Sequence, residues 1–293
     1  MRLGGEGPSG NFEDRTGSGG GFGLGGGGGN MLGCLLPLVM SRFGIVGVVI
    51  LLLGYCALTQ LGGGGGLVPG GGPTTSAPSG QSRLDPNMRD FLTRVLGSTE
   101  ETWGEIYQRN GQRYTPTRMV AYTQGTQTSC GFGQAAMGPF YCQNDRSIYI
   151  DPTFFNELSQ RFGAPGDFAM AYVIAHEVGH HIQDLNGTLD RAQQAQARAS
   201  KTEGNAMQVK VELQADCYAG VWAANARDAQ GRILEPGDAE EGMRAAEAIG
   251  DDTLQRQTQG TVVPESFTHG TSEQRMAALR RGLQTGDPAQ CRF

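Results

Sequence analysis

The stretch Ala171–Leu185 reads AYVIAHEVGHHIQDL and contains the motif His-Glu-X-X-His at positions 176–180. Hydrophobic residues recur through it at helical spacing, which predicts a buried helix. Residues four positions apart share one face of a helix, so His176 and His180 are placed to bind one metal ion together. Glu177 is placed to act as a general base on a metal-bound water. Three of the chain's 4 histidines lie in this helix, which favours a metal site over satisfied core histidines.

A third ligand must come from elsewhere, because a catalytic zinc ion usually has three protein ligands. Glu212 and Asp216 lie four positions apart on a second predicted helix, about Ala206–Ala226. We expect Glu212 to be the third ligand, and Asp216 to accept a hydrogen bond from a ligand histidine and so fix its orientation. Two solvated surface carboxylates are the alternative, which the apolar residues around them disfavour. Asp190 is a second carboxylate candidate, in a stretch typical of a loop.

If the metal-bound water attacks a carbonyl group, the oxyanion that forms needs a hydrogen-bond donor besides the metal. His269 is the histidine outside the Ala171–Leu185 helix and is our candidate, with Arg275 as an alternative. A purely structural histidine near a helix start is an equally open interpretation of His269. His181 lies about 100° around the helix from His180, so we expect it to pack or to support the site rather than to bind the ion.

Composition divides the chain into regions. The net charge is −6, and no basic stripe or aromatic–basic pattern indicates nucleic-acid binding. Residues 1–30 are rich in glycine and lack an apolar set to bury, which predicts a disordered tail. Residues 62–83 are rich in Gly, Pro and Ser, which predicts a flexible linker. Ordinary globular composition begins at residue 84, so 84–293 is expected to be the folded domain.

Between tail and linker, residues 31–61 are strongly apolar, and their core, 43–61, carries no charge. At about 1.5 Å of rise per residue, a helix over this core would extend about 28 Å, close to the hydrocarbon thickness of a bilayer. We therefore expect one transmembrane helix, an uncleaved signal-anchor in the cell membrane, since no A-x-A cleavage site follows it. Arg42 precedes the core and no charge follows until Arg83, which predicts a cytoplasmic N-terminus and an extracytoplasmic (periplasmic or extracellular) domain.

Capping and β-branched patterns predict further elements in the domain. The predicted helices are Pro86–Leu96, a second from a capping box at Ser98 through Gln108, Thr188–Ser200, two that begin with N-caps at Asp238 and Asp251, and Thr271–Leu283. The predicted strands are Arg118–Thr123 and Ser147–Ile150. Ser147–Ile150 is either an edge strand that pairs with an extended substrate or an ordinary core strand.

Four cysteines lie in the predicted domain, and no C-x-x-C pair indicates a structural zinc. Disulfides are the expected state in an extracytoplasmic domain, with free buried thiols as the alternative. Four cysteines allow three pairings, among which the sequence does not select. Proximity favours Cys130 with Cys142, which leaves Cys217 with Cys291.

Four motifs together resemble the bacterial putative neutral zinc metallopeptidase family. They are HEVGHHIQ at 176–183, ELQADCYAG at 212–220, PFYC at 139–142 and FTHGTSEQR at 267–275. The resemblance covers roughly residues 85–293 and implies a single-pass anchor, a zincin fold and a glutamate as third ligand. The expected fold class is therefore α+β: a mainly helical zincin-like domain with a small β-sheet, preceded by one transmembrane helix.

The expected function is that of a membrane-anchored zinc endopeptidase acting on peptide or protein substrates. Zn²⁺ lowers the pKa of its bound water to about 7, and Glu177 would take the proton. A catalytically silent zinc-binding relative that uses the cleft to bind a partner is the alternative, and a membrane-tethered structural protein without metal is a third hypothesis. The intact Glu177 favours the enzyme, because a binding protein does not need that base.

Overall fold

Helices predominate over strands in the part of the chain that the structure describes. The computed structural model describes residues 1–3, 7–17 and 82–292. Within these residues there are eight α-helices: α1 (Pro86–Arg109), α2 (Thr153–Gln160), α3 (Asp167–Leu185), α4 (Thr188–Gln196), α5 (Lys201–Asn225), α6 (Asp238–Ala248), α7 (Asp251–Gln259) and α8 (Ser272–Thr285). The domain is α+β and mainly helical, as the sequence predicted.

The strands form one small sheet and two hairpins. Their bounds are β1 (Phe12–Asp14), β2 (Arg118–Ala121), β3 (Gly125–Thr128), β4 (Gly131–Gln134), β5 (Phe140–Cys142), β6 (Ser147–Ile150), β7 (Arg227–Asp228) and β8 (Gly231–Arg232). The four-stranded sheet has the order β1-β2-β6-β5, with β5 antiparallel to β6 and the other pairs parallel. β6 therefore lies inside the sheet, so its interpretation as an edge strand is wrong, and the edge strands are β1 and β5.

Helix α1 is continuous over the region where the sequence predicted two helices. Asp85 caps its first turn by accepting the backbone N–H groups of Asn87 and Met88. The predicted second start at Ser98 is wrong because that serine is buried, and its hydroxyl accepts a hydrogen bond from Trp222 Nε1 at 3.2 Å. Ser98 thus lies inside the continuous helix α1 and packs against α5 instead of starting a new helix.

Helix α3, which carries the His-Glu-X-X-His motif, lies at the centre of the core and packs against α1, α5, α6 and β5. A Cβ atom added to Gly179 would lie 2.9 Å from the backbone of Ala215, so glycine is needed for α3 and α5 to approach this closely. Phe168 of α3 stacks on Trp222 of α5 with ring centroids 6.1 Å apart. This close packing places the histidine face of α3 against the carboxylates of α5.

The C-terminal part of the chain is fastened to α5. A Cβ atom on Gly282 of α8 would lie 2.0 Å from the carbonyl oxygen of Cys217, so glycine also permits the close packing of α5 and α8. A disulfide joins Cys217 to Cys291, and a second joins Cys130 to Cys142 in β5. These are the pairs that proximity favoured.

The N-terminal residues contribute a strand to the sheet. β1 pairs in parallel with β2, and the backbone N–H of Met119 donates to the carbonyl oxygen of Asn11 at 2.9 Å. The prediction of a disordered tail over 1–30 is therefore wrong for residues 7–17. β1 is only three residues long, and so short a strand does not stand out in a segment whose composition is dominated by glycine. The remainder of that tail, 4–6 and 18–30, lies outside the described residues.

The expected membrane anchor requires a correction. Among the described residues, no helix has both the length and the apolar character needed to cross a bilayer. The segment assigned to the anchor, 31–61 with its core 43–61, lies outside the described residues, as does most of the predicted linker. The expectation that the N-terminus lies across the membrane from the domain conflicts with two contacts: β1 pairs with β2, and Ser82 Oγ donates to Asp14 Oδ2 at 2.5 Å. The chain before and after the segment belongs to one folded unit and does not lie on opposite sides of a membrane.

Candidate metal centre

Three side chains from two helices meet beside a cleft. His176 and His180 lie one turn apart on α3, with ring centroids 4.8 Å apart. Glu212 of α5 places Oε2 3.1 Å from His176 Nε2 and 3.4 Å from His180 Nε2. These three ligand atoms all lie within 4.8 Å of one another, and all three residues are largely buried. The structure thus brings together the three residues that the sequence proposed as ligands.

The outer nitrogen of His176 is held by a buried carboxylate. Asp216 Oδ1 lies 2.7 Å from His176 Nδ1 and also accepts a hydrogen bond from the Tyr172 hydroxyl at 2.6 Å. The Arg275 guanidinium donates to both oxygens of Asp216, each at 2.9 Å. Asp216 thus makes the contact that its spacing from Glu212 predicted. Arg275 is 3% exposed and is occupied by this ion pair, which disfavours it as the oxyanion donor.

Two glutamines support the other candidate ligands. Gln183 Oε1 lies 2.9 Å from His180 Nδ1, and Gln208 Nε2 donates to Glu212 Oε1 at 2.8 Å. Sequence reasoning missed both glutamines. The signal was present, because Gln183 follows His180 by three positions and Gln208 precedes Glu212 by four, so that each shares a helix face with the residue it supports.

The charge distribution favours a cation among the three candidate ligands. Burial opposes the charged form of His176, but Asp216 and Glu212 outweigh it and raise the pKa of this histidine to about 10. Burial also opposes the charged form of His180, but Glu212 outweighs this effect and raises the pKa of His180 overall. Burial would raise the pKa of Glu212, yet the two histidines hold it well below its usual value. The same negative potential that attracts a proton to these nitrogens attracts a metal ion.

The donor set fits a zinc ion. Two imidazole nitrogens and a glutamate oxygen are the protein ligands of one class of catalytic zinc site. Two ligand atoms on a tetrahedral Zn²⁺ lie about 3.3 Å apart if each bond is about 2.0 to 2.1 Å long. The separations of 3.1 and 3.4 Å from Glu212 to the two histidines bracket that value. His176, His180 and Glu212 are therefore arranged to hold such an ion.

Glu177 faces the same cleft and is 7% exposed. Across the part of the chain that the structure describes, no hydrogen bond or ion pair engages its carboxylate, whereas Glu212 and Asp216 are both fully engaged. Its carboxylate is therefore available to groups that enter the cleft. Its position beside the candidate ligands suits a base that acts on water.

The cleft has a volume of about 670 Å³. On one side it is bordered by the edge strand β5, through Phe140 and Tyr141, and elsewhere by apolar residues that include Phe154 and Phe162. The Cys130–Cys142 disulfide holds β5 to the adjacent hairpin. An open edge strand beside a cleft offers backbone groups to an extended peptide.

His269 lies in the loop before α8 and lines the cleft, with its side chain 50% exposed. The loop is fixed by Asp251, whose Oδ2 accepts the backbone N–H groups of Thr268, His269 and Gly270 at 2.7, 2.7 and 3.1 Å. The His269 ring contacts Asp251 Oδ1 through Nδ1 at 3.4 Å. A histidine that is exposed to the cleft on an anchored loop is placed to meet a substrate.

The remaining sequence candidates lie away from the three ligand atoms. His181 does not join the three candidate ligands: its Nε2 contacts the Thr115 carbonyl at 2.7 Å and its Nδ1 contacts the Tyr141 hydroxyl at 3.0 Å. It therefore ties β5 to α3, in line with the expected packing role. Asp190 accepts a hydrogen bond from Gln143 and is not part of the cluster.

Comparison with known proteins places the chain in a class. The family model described as "Putative neutral zinc metallopeptidase" matches residues 1–293, so the chain belongs to this family. It is 44% identical to the uncharacterised protein YpfJ of Escherichia coli (strain K12) over 295 residues, which covers 99% of this chain and 98% of that protein. It is 39% identical to the uncharacterised protein Rv2575 of Mycobacterium tuberculosis (strain ATCC 25618 / H37Rv) over 220 residues, which covers 72% of this chain and 73% of that protein. No solved structure matches the chain.

Proposed function

We propose that the protein is a zinc-dependent endopeptidase that hydrolyses peptide bonds of peptide or protein substrates in the cleft beside α3. The observation that carries the proposal is the convergence of His176, His180 and Glu212, with the carboxylate of Glu177 in the same cleft. Membership of the family supports the zinc ion and the reaction class. The two disulfides support a site of action in an oxidising, extracytoplasmic compartment.

The protein's own residues have distinct roles in this proposal. Bound zinc would supply an acidified water and polarise the scissile carbonyl. Glu177 would accept the proton of that water and later deliver it to the leaving amine. His269 would donate a hydrogen bond to the oxyanion from the anchored loop. The free edge of β5 would align the peptide backbone across the cleft.

The test compares the wild-type chain with the Glu177→Gln variant on a mixed peptide library. Glutamine has the shape of glutamate but accepts no proton at neutral pH, so we expect cleavage to fall by about 10² to 10⁴-fold, the usual contribution of a general base. Zinc content should stay at the wild-type level, because Glu177 is not one of the three candidate ligands. Cleavage and zinc content are measured on the same samples.

Glu105→Gln, on the exposed face of α1, is the matched control and should cleave like the wild type. Equal cleavage by the Glu177→Gln variant and the wild type would remove the proposed base. Zinc binding by the wild type without cleavage of any peptide would favour the catalytically silent relative that binds a partner.

A further inference from the structure

A continuous chain of hydrogen bonds connects His180 to the C-terminal disulfide. Gln183 Oε1 lies 2.9 Å from His180 Nδ1, and Gln183 Nε2 donates to Gln214 Oε1 at 3.0 Å. Gln214 Nε2 in turn donates to the carbonyl oxygen of Cys291 at 2.7 Å. Gln183 and Cys291 are completely buried. The chain thus runs from α3 across α5 to a residue near the C-terminus.

Backbone carbonyls fix the orientation of both amides in this chain. Gln183 Nε2 donates to the Val211 carbonyl at 2.7 Å, and Gln214 Nε2 donates to the Cys291 carbonyl at 2.7 Å. A carbonyl oxygen only accepts, so turning either amide around would place two oxygens against each other. The Gln183 oxygen must therefore face His180, and it accepts a hydrogen bond from Nδ1–H. This leaves Nε2, the ring nitrogen on the side of Glu212, with the lone pair that can bind a metal ion.

The far end of the chain is held by a covalent bond. Cys291 is joined by the disulfide to Cys217, which lies on α5 as Gln214 and Glu212 do. Its backbone N–H donates to the Pro288 carbonyl at 3.1 Å. The carbonyl that orients Gln214 is therefore anchored to the same helix that supplies the third candidate ligand.

We propose that Gln183 and Gln214 are positioning residues that hold His180 in the tautomer needed to bind the metal, and that the Cys217–Cys291 disulfide anchors their outer end. Metal affinity should therefore depend on this disulfide, although neither cysteine lies at the site. The inference rests on the metal site of the proposed function and not on peptide hydrolysis. It assigns a role to residues 286–292, which follow α8 and contribute no residue to the cleft.

The experiment measures zinc affinity by chelator competition, and the visible spectrum of the Co²⁺-substituted protein reports the coordination geometry. Gln183→Met and Gln214→Met remove the amides with little change in length. We expect the Gln183→Met variant to bind zinc about 10 to 100-fold more weakly, as is usual when the partner of a ligand histidine is removed. The Gln214→Met variant should lose affinity in the same direction but less, and both should show altered Co²⁺ spectra.

Gln290→Met is the matched control, because this exposed glutamine precedes Cys291 without joining the chain. The Cys217→Ala/Cys291→Ala variant should weaken zinc binding as Gln214→Met does, and combining the two changes should add little, since they act on one network. The Cys130→Ala/Cys142→Ala variant removes the other disulfide and should retain the wild-type zinc affinity.

Circular dichroism establishes that each variant is folded, and the Gln183→Met and Gln290→Met pair decides the outcome if the cysteine variants do not fold. Wild-type zinc affinity and an unchanged Co²⁺ spectrum in Gln183→Met would overturn the inference. Full additivity of Gln214→Met with the Cys217→Ala/Cys291→Ala change would overturn the part assigned to the disulfide. A wild-type chain that binds no zinc would instead overturn the proposed function.

Discussion

At the scale of single residues, Asp216 connects the candidate metal centre to the rest of the fold. It is fully buried and is bonded to His176, Tyr172 and Arg275. Burial would raise its pKa, but Arg275 and His176 reverse that effect and hold the pKa below the usual value. One carboxylate therefore orients a candidate ligand and neutralises a buried guanidinium.

We expect the Asp216→Asn variant to be less stable by about 3 to 5 kcal/mol in urea denaturation, because Arg275 would be left as a buried charge without an anion. Its zinc affinity should fall by about 10 to 100-fold, since His176 would lose its carboxylate partner. The Arg275→Met variant should be destabilised to a similar degree. In the double variant, the loss of stability should be clearly smaller than the sum of the two single losses. Simple additivity would show that the pair is not coupled.

The candidate ligands could be predicted from the sequence because each pair of residues is local. His176 with His180 and Glu212 with Asp216 lie four positions apart on amphipathic or apolar helices, and helical geometry fixes which side chains share a face. The ion pair of Arg275 with Asp216 was not predicted, because the two residues lie 59 positions apart. Spacing within one helix does not reveal which distant charge will be buried against it.

At the scale of secondary-structure elements, local capping signals determined several helix starts. Thr271 caps α8 through a capping box with Gln274, in agreement with the predicted start. The same signal at Ser200 and Glu203 begins α5 at Lys201, five residues before the predicted Ala206. At Ser98 the same signal predicted a helix start that does not exist: Ser98 lies inside α1, and its hydroxyl accepts a hydrogen bond from Trp222.

Asp251 shows how an acidic residue at a helix start can serve a different element. It was predicted as the N-cap of α7, but the N-cap is Gly250, and Asp251 is the first helical residue. Its carboxylate instead accepts three backbone N–H groups from the loop 268–270. The predicted N-cap at Asp238 is displaced in the same way, with Gly237 as the cap. The starts of α6 and α7 were thus predicted to within one residue, whereas the contact of Asp251 with the loop 268–270 was not visible in the sequence.

The Asp251→Asn variant should lose stability at neutral pH and become less active, because the loop that carries His269 loses its anion. Burial would raise the pKa of Asp251, but its bonds with His269 and the loop amides lower it overall. A lowered pKa in the folded state means that ionised Asp251 stabilises the fold above about pH 4, and that this contribution disappears as the pH falls further.

The check is the free energy of unfolding measured from pH 7 to pH 3. The difference between the wild type and Asp251→Asn should be largest at neutral pH and should shrink below about pH 4. The control is Asp90→Asn, at an exposed ion pair with Arg94, which should change stability little at any pH. A difference of constant size across the range would contradict the role assigned to the Asp251 charge.

At the scale of the whole molecule, the arrangement of the sheet contradicted the sequence reasoning most strongly. The helices α3, α5 and α8 were recognisable because their periodicity and caps are local signals. The strand β1 was not, because three residues in a glycine-rich stretch acquire meaning only when they pair with β2, more than 100 positions later. This pairing also conflicts with the expectation that the N-terminus lies across the membrane from the domain. Long-range pairing depends on the complete fold and leaves little trace in local composition.

The central claim is that two imidazoles from α3 and one carboxylate from α5 hold a single metal ion. The most direct measurement is the zinc content and zinc affinity of the purified full chain, beside those of the Glu212→Gln variant and of Glu203→Gln on an exposed turn of the same helix. We expect about one equivalent of zinc in the wild type and in Glu203→Gln, and a markedly weaker, substoichiometric binding in Glu212→Gln, because a neutral amide is a poor zinc ligand. Zinc well below one equivalent in the wild type, or equal affinity in Glu212→Gln, would contradict the claim.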